Sequence, residues 1–508
     1  MKHLLICALA AFGFLNTSLA VAEDEVGFKA IFNGEDLEGW DGNPKFWSVK
    51  DGAIVGQTTE DNPTKGNTFL IWRQGTVDDF VLRLQYKIIG GNSGIQYRSK
   101  ELGKWVIGGY QGDFEAGDKH SGILYEERGR GILAERGKKV TIKADGSKQP
   151  ETLADSNELQ KLIKNEDWND YEIIAEGNHL THKINGVVFS ETIDEEAKNR
   201  ALAGLLALQL HAGPPMTVEF KNIRLKRTKL AAVPGIGERK KLVMIAGTPS
   251  HKPGDHEFNA GCLLLKKCID QNVPQMVCVE YDGGWPKDPT AFDNTDAIFI
   301  YADGGNGHPA LQRDRLALLD ALFKQGVGIA CAHYAVEVPK EKGGPQLLDW
   351  IGGYFEAYWS VNPHWTLEKT VLAKDNPITQ GVKPFSINDE WYYHMRFREN
   401  MQGVIPILSA LPPDSTRGKE GENTSHHGNP DVQKRKGVSE VLAWAAESPG
   451  GARGFGFTGG HYHKNWGNED QRKLVLNALL WVAKLDVPAE GVNSTVTEEE
   501  LQQNLDKK

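Results

Sequence analysis

Between Tyr110 and Glu126 the chain reads YQGDFEAGDKHSGILYE, which gathers phenol rings, carboxylates, an amide and one imidazole among glycines that discourage a helix. Each of these polar groups donates to or accepts from a hydroxyl, and Tyr110 and Tyr125 add flat apolar faces of the kind a pyranose ring stacks on. The stretch predicts one wall of a sugar-sized cleft, the alternative being polar decoration of a β-sheet turn. Asp113, Glu115, His120 and Glu126 are its titratable groups, joined by His211 further along, and Asp113 and His211 are the first choices for catalysis. Asn92, Gln96, Arg98, Gln111 and Gln209 can orient or polarise a ligand, although Arg98 serves equally well as a structural ion-pair partner and His211 as the cap of a strand end. If Asp113 and Glu126 face one another they suit a two-carboxylate glycosidase, and if nothing reacts the same groups suit a lectin.

The elements that must position these groups are strands. Phe80, Leu82, Leu84, Tyr86 and Ile88 alternate with Arg83, Gln85 and Lys87, the period-two pattern of a half-buried strand. Asp51-Gly52 and Asn185-Gly186 sit between apolar runs as two-residue hairpin turns. From Phe28 to Lys226 only Glu158 to Asn165 and Glu195 to Arg200 look helical, so this half is expected to be a β-sandwich.

Phe32-Asn33-Gly34 with Leu37-Glu38-Gly39-Trp40, then Asn92 to Arg98 (NSGIQYR), Gly204 to His211 (GLLALQLH) and Val218 to Leu225 (VEFKNIRL) follow one another in an order that resembles the 3-keto-disaccharide hydrolase domain family. The resemblance implies a jelly-roll sandwich of concanavalin A-like fold and a small carbohydrate substrate whose sugar carries a ketone at carbon 3. Such a ketone acidifies the hydrogen on carbon 2. A base can then remove it while the glycosidic oxygen leaves, and water adds back. That route needs a base, an acid for the leaving oxygen and a group to polarise the ketone.

Thr228 to Lys241 contains Pro234, Gly235 and Gly237 with a basic cluster and no periodicity, and reads as a linker. Beyond it strand and helix alternate: strands at Leu242 to Ala246, Met276 to Tyr281 and Ala297 to Tyr301, helices at Glu257 to Gln271, Gln312 to Lys324 and Glu469 to Leu485. This rhythm predicts an α/β domain with a parallel sheet covered on both faces and ligands at the carboxyl ends of its strands. The runs GDHEFNAG and GGHYHKNWGNEDQRKL resemble the trehalose-utilisation (ThuA-like) family, which implies a class I glutamine-amidotransferase-like fold. Cys331 is not expected to be an amidotransferase nucleophile, because its neighbours two positions away are Ile329 and His333, whereas His333 sits between Cys331 and Ala335 as an elbow residue would. His251, His256, His333 and His461 can converge with Glu390 and His394 in a second pocket, which suits either a zinc-like divalent metal or a metal-free polar sugar site. His426-His427 reads as solvated loop.

The chain has 508 residues, enough for two or three domains, and a formal charge of -10 with no basic stripe, which argues against a nucleic-acid partner. Met1 to Ala22 has the charged, apolar and small-residue regions of a secretory signal peptide cleaved near Ala22, which predicts a periplasmic or secreted protein, and no run is long enough to span a membrane. Cys262, Cys268, Cys278 and Cys331 are expected to be buried free thiols. The expected layout is leader 1–22, sandwich 23–228, linker 229–240, α/β domain 241–485 and tail 486–508, with Thr497 and Glu500 able to form a capping box and no oligomeric state specified.

Overall fold

The computed structural model of the chain describes residues 26–368, 370–419 and 428–508. The leader at 1–22, with Cys7, and the His426-His427 pair lie outside the described residues. No helix among the described residues is long and apolar enough to cross a membrane.

Two-residue turns and alternating strands build the N-terminal half. Asp51 and Gly52, at φ 51° and 75°, join Trp47–Lys50 to Ala53–Thr58, while Asn185 and Gly186, at φ 49° and 81°, join His179–Ile184 to Val187–Asp194. Left-handed backbone at both turn positions matches the twist of the strands it connects. One sheet runs, neighbour to neighbour, through Lys148–Thr152, Lys138–Ile142, Val187–Asp194, His179–Ile184, Asn169–Glu176, Phe80–Ile89, Met216–Arg227, Ala53–Thr58 and Trp47–Lys50, with Lys29–Ala30 also on Met216–Arg227. The second runs through Gly131–Ala134, Leu124–Glu127, Val106–Glu115, Asn92–Gly103, Leu205–Leu210, Thr68–Trp72 and Trp40–Asp41. Their inner faces share one core, to which Trp47, Trp72, Tyr86, Tyr97, Phe114 and Phe220 belong.

Of the two helices expected in this half, that at 158–165 is cut short and that at 195–200 is absent. Asp155 caps a single short helix, Ser156–Gln160, and the Asn169 side chain then bonds both backbone groups of Lys164, which holds the following residues in turns. Residues 195–200 form a turn, with Glu196 held by Arg130 at 2.9 Å.

In the C-terminal half Met276–Tyr281, Lys240–Ala246, Ala297–Tyr301, Gly328–Ala332 and Arg453–Phe457 are parallel neighbours in that order. Glu440–Glu447, Val404–Ala410 and Val371–Leu372 extend the same sheet with antiparallel pairing. The sheet is therefore mixed, not parallel throughout as the strand and helix rhythm predicts. The cause is local: only residues 448–452 join the adjacent strands Glu440–Glu447 and Arg453–Phe457, too few for a crossover. Leu242 and Met244 enter a core with helices Phe258–Asn272 and Glu469–Val482, whereas Val243 and Ile245 enter a second core with Arg315–Lys324 and Gly344–Ile351. Cys262, Cys268, Cys278 and Cys331 are buried free thiols, and Thr497 with Glu500 forms a capping box on Glu498–Leu501.

The halves meet at two adjacent buried carboxylates. Arg227 donates to Asp78 and to Asp288, each at 2.8 Å, and Lys241 Nζ lies 3.8 Å from Asp78. Arg98 and Arg239 share Asp79 at 2.8 and 2.7 Å. Arg98, Arg227, Asp78 and Asp79 come from the sandwich, and Arg239, Lys241 and Asp288 from the chain beyond it, so ions cross the boundary in both directions.

Candidate functional site

Strands place the first set of polar groups by parity. Side chains alternate across Val106–Glu115, so Gln111, Asp113 and Glu115 leave the sandwich on its outer face while Tyr110 and Phe114 enter the core. The next strand, Leu124–Glu127, adds Tyr125 and Glu127 to the outer face, since Gln111 pairs with Tyr125 in register. With Asn67, Asn92, His120, Arg128, Gln209 and His211 these residues line a cleft of about 740 Å³. A larger cavity of about 1080 Å³ lies between the two halves; its lining mixes apolar Pro234, Ile236, Met276 and Val277 with Glu101, Glu195, Lys266 and Asp270, and it has no histidine.

Within the cleft a one-way relay of hydrogen bonds ends on Asp113. Ser99 Oγ donates to Gln96 Oε1 at 2.7 Å, Gln96 Nε2 donates to Gln111 Oε1 at 2.6 Å, and Gln111 Nε2 donates to Asp113 Oδ1. Asn92 donates to the same carboxylate. Burial nevertheless dominates and pushes the Asp113 pKa up to about 7; the bonds from Gln111 and Asn92 act against it, and the Glu127 and Glu115 charges add to it. Gly94 lies opposite Asp113 in register, and a Cβ there would stand 2.6 Å from Gln111 Cγ, so a glycine is needed where the amide crosses.

The other cleft groups have definite hydrogen-bonding states. His211 Nδ1 is 2.6 Å from the Ala212 carbonyl oxygen, which only accepts, so Nδ1 donates and Nε2 is left with its lone pair. His120 Nδ1 is 3.1 Å from Glu115 Oε2, and Glu115 Oε1 accepts from the backbone N–H of Lys119 and of His120. Burial would raise the Glu115 pKa, but these bonds outweigh it and hold the carboxyl below its usual range. Gln209 is fully buried, and neither atom of its amide has a partner among the described residues. Glu127 accepts from Asn67 at 3.5 Å.

Three residues expected in this cleft face elsewhere. Tyr110 points into the core, its hydroxyl donating to Asp194 at 2.5 Å. Glu126 has the same parity and is held by Arg130, which also binds Asp194, so it does not oppose Asp113. Arg98 belongs to the buried ion cluster between the halves. Gln96 stands behind the cleft as a member of the relay. Glu127 was open to sequence reasoning, because it shares the face of Tyr125 two residues earlier.

The second set forms at the carboxyl ends of adjacent strands in the C-terminal half. His333 follows Gly328–Ala332 at φ 53°, the strained elbow position, while burial pushes the neighbouring Cys331 thiol up to about 12. Asp303 follows Ala297–Tyr301, and His461 follows Arg453–Phe457. His461 is placed by Asp389, whose carboxylate accepts from the backbone N–H groups of Gly460 and His461 at 2.9 and 3.1 Å. His256, at φ 49°, is backed by Lys508, which donates to its carbonyl at 3.3 Å.

His256, His333, His461 and Glu390 each bring one potential ligand atom into a group spanning at most 4.8 Å. Burial lowers the His333 pKa well below the ordinary imidazole range, with the His256 and His461 charges adding to it. His251 stacks on His256 at 3.7 Å between ring centres and stays largely exposed. His394 lies apart: it stacks on Trp359 at 4.6 Å and bonds the Trp359 carbonyl oxygen through Nδ1 at 2.9 Å. The left-handed turn at His394, φ 56°, removes it from the face that a regular strand or helix would share with Glu390.

Comparison with known proteins follows the same division. The family model described as a 3-keto-alpha-glucoside-1,2-lyase-like domain matches residues 27–226, and that described as trehalose utilisation, ThuA, matches residues 251–482. Among solved structures, a protein provisionally described as a glycosyl hydrolase from Parabacteroides distasonis aligns at 19% identity over 40% of this chain and 99% of that chain, with a TM-score of 0.28. The carbohydrate binding module CBM66 from Bacillus subtilis aligns at 14% identity over 37% of this chain and 95% of that chain, with a TM-score of 0.26. A ThuA-like protein from Bacteroides uniformis aligns at 14% identity over 49% of this chain and 93% of that chain, with a TM-score of 0.35. No curated protein matches the sequence. The chain joins a sandwich of the 3-keto-alpha-glucoside-1,2-lyase-like domain family, residues 27–226, to a ThuA domain, residues 251–482.

Proposed function

We propose that the sandwich cleaves the glycosidic bond of a 3-keto glycoside or 3-keto disaccharide, with Asp113 as the base that removes the hydrogen on carbon 2. The observation that carries this reading is the Asp113 carboxyl itself, buried beside an open cleft, oriented by the Ser99, Gln96 and Gln111 relay and titrating at about 7, where a general base is most effective near neutral pH. Removal of that proton leaves an electron pair that forms the bond between carbons 1 and 2 as the bond to the glycosidic oxygen breaks. The leaving oxygen takes a proton, for which His120, paired with Glu115 in the same cleft, is the donor we assign. The unpartnered Gln209 amide is available to the ketone or a neighbouring hydroxyl, and His211 Nε2 can accept from the water that adds back. Tyr125, half-buried on the cleft wall, offers a stacking face. The ThuA domain binds or processes a related sugar, and the leader-like Met1 to Ala22 supports export.

The test is release of a chromogenic aglycone from a 3-keto-glucoside and from its unoxidised parent by the purified full chain and by Asp113→Asn. Turnover of the keto compound alone, reduced about 100-fold or more in the variant, is the expected result for loss of a general base. Glu127 shares the cleft with Asp113 and supports a second reading, a direct two-carboxylate glycosidase. Equal turnover of the parent compound would establish that reading and reject elimination. Binding of either sugar with no turnover would leave a lectin-like module.

A further inference from the structure

We propose that His256, His333, His461 and Glu390 together bind one divalent transition-metal ion of the zinc class. The argument rests on which nitrogen each ring turns inward. His333 Nδ1 lies 3.0 Å from the Thr458 carbonyl oxygen, which can only accept, so that nitrogen carries the ring proton. The carboxylate of Asp303, at 3.0 Å from His256 Nδ1, fixes that ring in the same way, while His461 has a carboxylate against each nitrogen, Asp255 at 3.2 Å from Nε2 and Glu390 at 3.2 Å from Nδ1. The nitrogens facing inward are His256 Nε2, His333 Nε2 and His461 Nδ1; the first two are bare lone pairs in the neutral ring, and the third is one when the His461 proton sits on Nε2 toward Asp255.

These lone pairs face one another. His256 Nε2 stands 3.0 Å from both His333 Nε2 and His461 Nδ1, and Glu390 Oε2 lies 3.2 Å from His461 Nδ1 and 3.5 Å from His333 Nε2. With the His461 proton on Nε2, four acceptors are aimed at one point, and a cation among them relieves their repulsion. The Tyr392 hydroxyl, at 3.5 Å from His333 Nε2 and 3.4 Å from Glu390 Oε2, is at the limit of bonding to either and has one proton to give. Donors around a tetrahedral ion at about 2.0–2.1 Å stand roughly 3.3 Å apart, close to the separations seen here. Three imidazoles and one carboxylate form the borderline donor set that zinc and its neighbours prefer over magnesium or calcium. An acceptor behind each ring's outer nitrogen is the support that metal-binding histidines regularly carry.

The site opens beside two exposed rings. His364 and His251 flank His461 at 4.9 and 6.1 Å between ring centres, leaving a side on which an oxygen ligand can enter. With four protein donors in place, an oxygen entering there makes a fifth ligand, and on the reading of the sandwich given above that oxygen is a keto sugar's. The metal assignment itself does not depend on that reading and is tested without any sugar.

The full-length protein is stripped with chelator, dialysed against zinc or cobalt(II) at micromolar free concentration, and analysed for bound metal and for cobalt d–d absorption. The wild type is expected to retain about one equivalent with a visible cobalt band; His256→Ala and Glu390→Gln are expected to retain less than about a tenth, and His394→Ala the full amount. Asp303→Asn, which weakens the support behind His256 and also the bond from Ser250, is expected to weaken binding about 10- to 100-fold. Thermal melting of each metal-free variant beside the metal-free wild type separates a lost ligand from a lost fold. Absence of metal uptake by the wild type, or uptake unchanged in both His256→Ala and Glu390→Gln, overturns the proposal. Uptake lost instead in His120→Ala would place the metal in the sandwich and overturn it as well.

Discussion

Asp113→Asn should stabilise the fold while removing catalysis, and the gain should depend on pH. A carboxyl whose pKa rises from about 3.8 in the unfolded chain to about 7 in the fold favours its neutral form when buried. Its contribution is therefore fully present below the unfolded value and is lost as pH rises through the folded one. At about 1.4 kcal/mol per unit, ionising Asp113 in place costs the wild type up to about 4 kcal/mol above pH 7. Asparagine keeps the shape, accepts from Gln111 through its oxygen and never ionises. Between about pH 5 and pH 8.5 the stability difference between variant and wild type should grow by about 3 kcal/mol in favour of the variant. Denaturant titration of both proteins at the two pH values measures it, and taking the difference cancels other titrating groups. A difference that stays constant with pH would mean that Asp113 is an ordinary ionised carboxylate, and the argument for it as a near-neutral base would fail.

The remaining predictions concern packing and ions. Gly94→Ala should displace Gln111, since the new Cβ would stand 2.6 Å from Gln111 Cγ; kcat/KM on the 3-keto substrate is expected to fall about 10-fold or more through loss of a charge-assisted bond, with circular dichroism unchanged. Asp79→Asn leaves Arg98 and Arg239 facing each other without their shared carboxylate, and calorimetry should find the protein destabilised by about 3–5 kcal/mol; an unchanged melting temperature would remove the ion cluster from the account of how the halves are held. Burial lowers the His182 pKa to about 4, so its neutral form stabilises the sandwich at neutral pH and that stability is lost as pH falls from about 6.5 to about 4, by up to about 3 kcal/mol. His182→Gln should flatten this acid limb in a denaturation series.

Strand alternation explains both what the sequence reveals of the cleft and what it hides. Gln111 and Asp113 are two apart and share a face, and Asn92, His120, Tyr125, Gln209 and His211 do converge on them. Tyr110 and Glu126 lie within the same polar stretch but belong to the other side, because in a strand every second residue faces the opposite way. The same rule, applied from Tyr125, leads to Glu127. Arg98 could not be assigned in this way, because its partner Asp79 and the competing Arg239 come from distant segments. In the ThuA domain the histidines were recognisable as polar groups at strand ends. Their grouping depends on loop conformations at His256 and His394, both left-handed, which residue spacing does not encode. The antiparallel pairing of Glu440–Glu447 with Arg453–Phe457 in the C-terminal sheet follows from a short connection at 448–452 that the strand and helix rhythm does not announce.

The paired acids Asp78 and Asp79 bear on how such a fusion persists. Arg227 ends the last strand of the sandwich yet finds one of its carboxylates, Asp288, beyond the junction, while Arg239 and Lys241 reach back to Asp79 and Asp78. Severing the chain between them and separating the pieces would expose or strand charges on both. Chance recombination that exchanged one half for a relative's would have to bring matching ions with it. The two domains are in this sense electrostatically one body, and a transplanted half would keep its junction charges satisfied only where its new partner supplied the matching ions.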